Sequence, residues 1–305
     1  MKSRISAEIL CGGTFLAAWL YEPEGVGPHP LVVMAHGIGA VREMGLDAFA
    51  GRFQAAGLGV LVFDYRHLGA SGGQPRQLVN IERQHEDWAT AIAYARNIDW
   101  VDPDRVALWG TSFAGGHVLV AASTDSRIAA VVAQCPFMDG RTVARATPPK
   151  AAIGINALAV ADLVAKILRR RPVLVRGAGE PGSVALMTTP DALSAMHRMA
   201  PPGYVNGVAA RLAFSTGRYR PGLKAPNVAC PAFFAICEDD QVTPPEMARQ
   251  AAAQAPRGEA KSYPVAHFGL YFGDDFEAAV ADQTEFLTRH LLTNTVSSSA
   301  DGSDQ

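Results

Sequence analysis

Trp109-Gly110-Thr111-Ser112-Phe113-Ala114-Gly115-Gly116 carries the strongest local signal in the chain. It follows the apolar run Val106-Ala107-Leu108-Trp109 and leads into a segment with helical character to about Ser123. A strand that turns at once into a helix holds its central residue in a strained backbone conformation and needs small neighbours on both sides. The result is a serine hydroxyl at the carboxyl end of a strand, above a helix N-terminus. Free N–H groups and the helix dipole favour developing negative charge there. The usual pattern is G-x-S-x-G. Ala114 takes the last position here, with Gly115-Gly116 behind it.

On both sides of this stretch, short apolar runs alternate with helical stretches. Leu31–Ala35, Gly59–Phe63, Arg105–Trp109, Ile128–Ala133, Pro231–Ile236 and Ala260–Tyr263 read as strands. Asp47–Ala56, a helix capped by Asn80 with Trp88, Ile92 and Ala95 on one face, and Phe276–Leu292 read as helices. Runs that are apolar throughout predict strands covered on both faces, and strand–helix alternation predicts a mostly parallel, twisted sheet flanked by helices. Ile5 to Leu20 reads as two strands around a Cys11-Gly12-Gly13 turn. Glu8 and the glycine pair argue against a secretory leader there. Asp102-Pro103-Asp104 reads as a turn.

The 305 residues could hold two domains, or one with an insertion. The stretch from Phe137 to Val228 favours the second. It lies between two sheet strands and is irregular, with Pro148-Pro149, Gly177-Ala178-Gly179 and Pro201-Pro202-Gly203, and with helices near Ile155–Leu168 and Ala192–Met199. The expected organisation is a body from residues 1–136 and 229–292, an inserted, partly helical cap over 137–228, and a polar, disordered tail at 293–305.

A serine needs a base, and a base needs an orienting carboxylate. Of eight histidines, His267 lies in a loop directly after the last strand, on the same sheet edge as Ser112. His29, His85, His197 and His290 lie elsewhere, and His117 is expected to pack behind the serine. The strand before it ends in Glu238-Asp239-Asp240-Gln241-Val242-Thr243-Pro244. Asp240 heads the turn and is favoured over Asp239, with Asp139 a more distant candidate. The backbone N–H groups of Phe113 and of Ile38, in His36-Gly37-Ile38-Gly39, are candidates for an oxyanion hole. His36, Gly37, Met187, Met196, Tyr204 and Phe268 are candidates for the substrate pocket, with Met199 alongside. Met187, Met196, Met199 and Tyr204 also suit a small core of the cap itself, which is the favoured use of all four. Arg169-Arg170-Arg171 reads as a solvated helix end, or as a steering patch for an anionic acyl substrate.

These residues resemble the α/β-hydrolase superfamily. Ser112, Asp240 and His267 keep the family's chain order of nucleophile, acid and histidine. Asp64-Tyr65-Arg66-His67-Leu68-Gly69-Ala70-Ser71-Gly72 is similar to the family's D-x-R-G-x-G-x-S-G loop, from which His67-Leu68 departs. The likeness spans about residues 5 to 292 and is nearest to esterase-like members beside the dienelactone-hydrolase and acyl-peptidase branches. A cysteine at 112 would mark a dienelactone hydrolase, and an aspartate a dehalogenase or epoxide hydrolase. The resemblance implies an α/β-hydrolase fold. It also implies a serine hydrolase, a carboxylesterase in kind, cleaving a small apolar ester, thioester or amide. Acyl transfer or C–C hydrolysis on the same triad, and a non-catalytic binding role, are the alternatives.

Lys+Arg 27 against Asp+Glu 29 shows no whole-chain footprint for nucleic acid or an anionic membrane, so neither is expected as a partner; a homo-oligomer is compatible. Hydrophobic residues at 49% supply a large core. The four cysteines form no CxxC pair or zinc spacing, so no metal or cofactor is expected, and buried thiols suit a cytoplasmic setting.

Overall fold

The structure, a computed structural model, describes residues 2–292, so the tail expected at 293–305 lies outside the described residues. Its centre is an eight-stranded sheet. In chain order the strands are β1 (Ile5–Cys11), β2 (Thr14–Tyr21), β3 (His29–Ala35), β4 (Gly59–Phe63), β5 (Val101–Thr111), β6 (Ile128–Gln134), β10 (Ala232–Cys237) and β11 (Gly258–Tyr263). They lie side by side as β1-β2-β4-β3-β5-β6-β10-β11. β1 and β2 form the antiparallel hairpin expected around Gly12-Gly13, and β2 pairs antiparallel with β4. From β4 to β11 every pairing is parallel.

Alternation along β3 shows why a parallel strand must be apolar throughout. Leu31, Val33 and Ala35 point into a core shared with Trp88, Ala91, Ile92 and Ala95 of α2 (Ile81–Arg96) and with α3 (Phe113–Thr124). Val32 and Met34 point to the other face, against Leu46, Phe49 and Phe53 of α1 (Leu46–Ala55) and against α9 (Gly273–Leu291). Burying each such side chain contributes about 1.5–3 kcal/mol. Asn80 caps α2 by accepting from Arg83 N. Asp102-Pro103-Asp104 is not a free turn. It lies within β5, where the pairing with β3 changes register, and the Asp102 carboxylate accepts from Asp104 N.

The Asp64–Gly72 loop explains its own departure from the family pattern. His67 stands where that pattern has glycine and keeps the left-handed conformation, φ 71°. Its Nε2 meets an Arg83 nitrogen at 3.0 Å. Asp64 is fully buried and accepts from Arg42 N and Ala70 N, which holds the loop after β3 to the loop after β4. Arg66 is buried against Asp87, which also accepts from its backbone N–H. Asp87→Ala would leave that guanidinium without its buried partner and is expected to cost about 3 kcal/mol. A urea melt should show the midpoint fall with an unchanged slope.

Between β6 and β10 the chain builds α4 (Gly140–Ala146), α5 (Pro149–Ile167), β7 (Leu174–Ala178), β8 (Ala185–Met187), α6 (Ala192–Met199), β9 (Val208–Ala209) and α7 (Ala213–Thr216). The α6 bounds match the sequence expectation. α5 starts earlier than expected because Pro149 takes its first turn, where a missing N–H costs nothing. The three short strands form a second sheet, β8-β7-β9, that the apolar pattern did not reveal. Asp162 of α5 is buried and ties the segment together. It accepts two bonds from the Arg211 guanidinium and one each from Arg211 N and Val173 N. After β10 comes α8 (Pro245–Gln254).

Candidate active site

The carboxyl ends of β3, β5, β6, β10 and β11 share one edge of the sheet. β3 and β5 are neighbours there, although the chain leaves β3 toward β4 and returns past it to β5. Such a reversal opens a crevice above the strand ends. Ser112 sits in it, between β5 and α3, with φ 55° and ψ −116°. The tight turn is stitched to the next strand: Ser112 N donates to Gln134 O at 2.8 Å, and Ser112 O accepts from Phe137 N at 2.8 Å. The small neighbours are needed for contact. A Cβ on Gly110 would lie 2.3 Å from Ala114 O, and one on Gly115 would lie 2.7 Å from Pro136 Cβ.

Ser112, His267 and Asp240 are brought together in a line. His267 Nε2 is 3.0 Å from Ser112 Oγ, and His267 Nδ1 is 2.6 Å from Asp240 Oδ2. Asp240 and His267 are both buried. Asp239 is exposed and its backbone joins the chain to Val265 O, so the carboxylate beside the imidazole is that of Asp240. Asp139 is occupied elsewhere, capping α4 and pairing with Arg220. Asp240 Oδ1 accepts from Val242 N at 2.8 Å and Thr243 N at 2.7 Å, which leaves Oδ2 for the histidine. Burial opposes a charge on His267, but the Asp240 carboxylate outweighs it and the imidazole is pushed up to about 9.

Thr243 was not singled out in the sequence. Its hydroxyl is within hydrogen-bond distance of Asp240 Oδ2 (2.8 Å) and Cys135 O (3.0 Å), and 3.3 Å from His267 Nδ1. It pins the acid to the end of β6. The available signal was a hydroxyl residue three positions after an acid, a spacing that turns use routinely.

The amides of Phe113 and Ile38 donate to no group among the described residues, and both residues border the same chamber as Ser112. Gly37 lets the loop after β3 come this close, since a Cβ there would stand 3.0 Å from Ser112 Cβ and 3.4 Å from its Oγ. Gly37→Ala is therefore expected to lower kcat about 10- to 100-fold through displacement of the loop and the serine, with little change in unfolding midpoint. Steady-state kinetics on an ester checks this.

Two chambers meet at Ser112. The larger, about 250 Å³, is walled mainly by residues 137–228, including Phe137, Val143, Ile155 and Leu186. The smaller, about 30 Å³, has Gly37, Met196, Met199, His267 and Phe268 in its wall. Met187 borders both. Met187, Met196 and Phe268 also belong to one small apolar cluster, so the two uses of the methionines coincide. His36 reaches the smaller chamber, but its ring is wedged between Asp64 and Tyr65 and its Nδ1 lies 2.9 Å from Gly37 O. Tyr204 does not line the pocket; it packs against the same apolar cluster, the other of its two expected uses. It borders neither chamber; its hydroxyl donates to Gly39 O at 3.0 Å and braces the loop from behind. His117 packs as expected, its ring nitrogens 2.6 Å from Tyr219 Oη and 2.9 Å from Gln84 Oε1.

Residues 27–270 match the family described as serine aminopeptidase, S33. The chain belongs to this family of α/β hydrolases. Among characterised relatives, the hydrolase is 46% identical over 275 residues to the quorum-quenching protein AidA of Acinetobacter baumannii (strain MDR-ZJ06), covering 90% of each chain. It is 29% identical over 289 residues to the polyketide transferase ATR5 of Stachybotrys chlorohalonatus, covering 92% of this chain and 94% of that one. Among solved structures, the α/β hydrolase GrgF from Penicillium sp. sh18 superposes with a TM-score of 0.82 at 25% identity, over 95% of this chain and 99% of the other. Among the described residues there is no group of His, Cys, Asp or Glu arranged to hold a metal ion. No helix there is long and apolar enough to cross a membrane.

Proposed function

We propose that this α/β hydrolase is a serine carboxylesterase in kind. It would cleave an ester, thioester or amide of a small apolar substrate through an acyl-enzyme. The observation that carries the proposal is the unbroken line from Ser112 Oγ through His267 to Asp240, at 3.0 and 2.6 Å. His267 Nε2 takes the proton as Ser112 Oγ attacks the acyl carbon, and Asp240 stabilises the imidazolium. The N–H groups of Phe113 and Ile38 hold the oxyanion. The proton passes to the departing alcohol, thiol or amine, and water activated by His267 then releases the acid. Residues 137–228 act as the cap of a body formed by 1–136 and 229–292. They supply most of the larger, apolar chamber that holds the substrate.

Acyl transfer is the second reading, favoured by the near full-length likeness to a polyketide transferase. In that case an alcohol or thiol would replace water at the acyl-enzyme.

A fluorophosphonate probe should label the protein. A panel of p-nitrophenyl esters of rising chain length, with thioester and amide analogues, should be hydrolysed without any added acceptor. No labelling would contradict the serine mechanism, and turnover that requires an acceptor would replace hydrolysis with transfer.

A further inference from the structure

The near-neutral total hides a strong segregation of charge. Residues 137–228 carry 13 Arg and Lys against four Asp and Glu, a net of +9, whereas the rest of the chain carries 14 against 25. Exposed apolar groups segregate with the positive charge. Of the 13 large apolar side chains exposed among the described residues, ten lie in this segment. Helix α5 concentrates both. Its inner side is buried through Ala151, Ile155, Ala159 and Ala165. Its outer side shows Ile153 and Ile167 at 72% exposure, Val160 at 54% and Val164 at 49%, spaced as one stripe. A helix apolar all round is normally covered all round.

The C-terminal end of this stripe runs into Arg169-Arg170-Arg171. There an open groove of about 1220 Å³ is lined by these three arginines together with Arg83, Lys166, Arg211 and other cations, with no carboxylate in its wall. Among the described residues only Arg211 of those named is ion-paired, with Asp162.

The charge decides what covers the stripe. A second copy packed across a two-fold axis with antiparallel α5 helices would bring the Arg169–Arg171 run against the partner helix's start. That start carries Lys150 and the positive end of the helix dipole, so the contact sets like against like. An anionic, apolar-cored surface satisfies both features at once. We propose that residues 137–228 dock this protein on an anionic lipid surface, with the outer stripe of α5 at the acyl boundary and the Arg169–Arg171 run and groove cations among headgroup phosphates. The absence of a membrane partner, expected from the whole-chain balance, overlooked this distribution. The same helix supplies Ala152 and Ile155 to the chamber beside Ser112, so a lipid-dissolved acyl substrate would meet the pocket from its own phase. The docking itself does not depend on the reaction proposed above.

The test is co-sedimentation of the full chain with vesicles of phosphatidylcholine, alone or mixed with phosphatidylglycerol. Binding is expected to the mixed vesicles only, and to weaken with salt. Arg169→Glu/Arg170→Glu/Arg171→Glu should lower partitioning about a hundredfold or more. Ile153→Ser/Ile167→Ser should abolish it. Both variants should keep the unfolding midpoint and the turnover of a water-soluble ester, so a failure of docking is read separately from a failure of the esterase proposal. No binding to mixed vesicles would overturn the proposal. A dimer by light scattering would then assign the stripe to a second copy, and a monomer would leave an acidic protein as the partner. Equal binding of wild type and variants would also overturn it.

Discussion

Ser112→Ala is expected to reduce ester turnover by at least about 10⁴-fold while leaving the fold intact. The hydroxyl takes no helix-capping role, and its one side-chain partner is His267 Nε2. Removing it leaves the backbone bonds of Ser112 to Gln134 and Phe137 in place, and alanine meets the same left-handed strain as serine. The unfolding midpoint should therefore hold within experimental error while the rate collapses. Retention of more than a tenth of the wild-type rate would remove Ser112 from the mechanism.

The second large effect is expected from Asp240→Asn, about 10³- to 10⁴-fold in kcat, for a reason particular to the geometry. The substituted side chain would keep its one oxygen for Val242 N and Thr243 N, so its amide NH₂ would face His267 Nδ1. That nitrogen would then have to accept, which places the ring proton on Nε2. A protonated Nε2 cannot take the proton of Ser112. The pH profile adds a check with a definite sign. Attack requires neutral His267; burial lowers its pKa, but the Asp240 carboxylate, with smaller contributions from Cys135 and Asp191, outweighs this and holds the imidazole above its ordinary value of 6.5. Wild-type kcat/KM should thus be lost as pH falls, with the half-point above 6.5. In Asp240→Asn the half-point should move down. A wild-type half-point below 6.5 would contradict the coupling of the two residues.

What the sequence made legible was chemistry bound to strand ends. The elbow needs glycine and alanine around Ser112, the acid and histidine must end neighbouring parallel strands, and apolar runs announce those strands. These constraints are local, so they show in the order of residues. The parts missed depend on distant packing. Thr243 matters only because β6 ends beside it. Tyr204 is apolar enough for a pocket, yet Gly39 O lies where its hydroxyl can reach. The short strands β7, β8 and β9 hold two to five residues each, too few for a periodic signal. The basic, apolar face of α5 was invisible in a whole-chain charge that sums two opposite parts.

The chemistry at Ser112 is tested most directly by rapid quench of the protein with a p-nitrophenyl ester, followed by peptide mass spectrometry. The expected result is the acyl mass on the peptide containing Ser112, formed with the burst of p-nitrophenol and absent from Ser112→Ala. An acyl group on any other residue, or full turnover with no adduct and undiminished activity in Ser112→Ala, would contradict it.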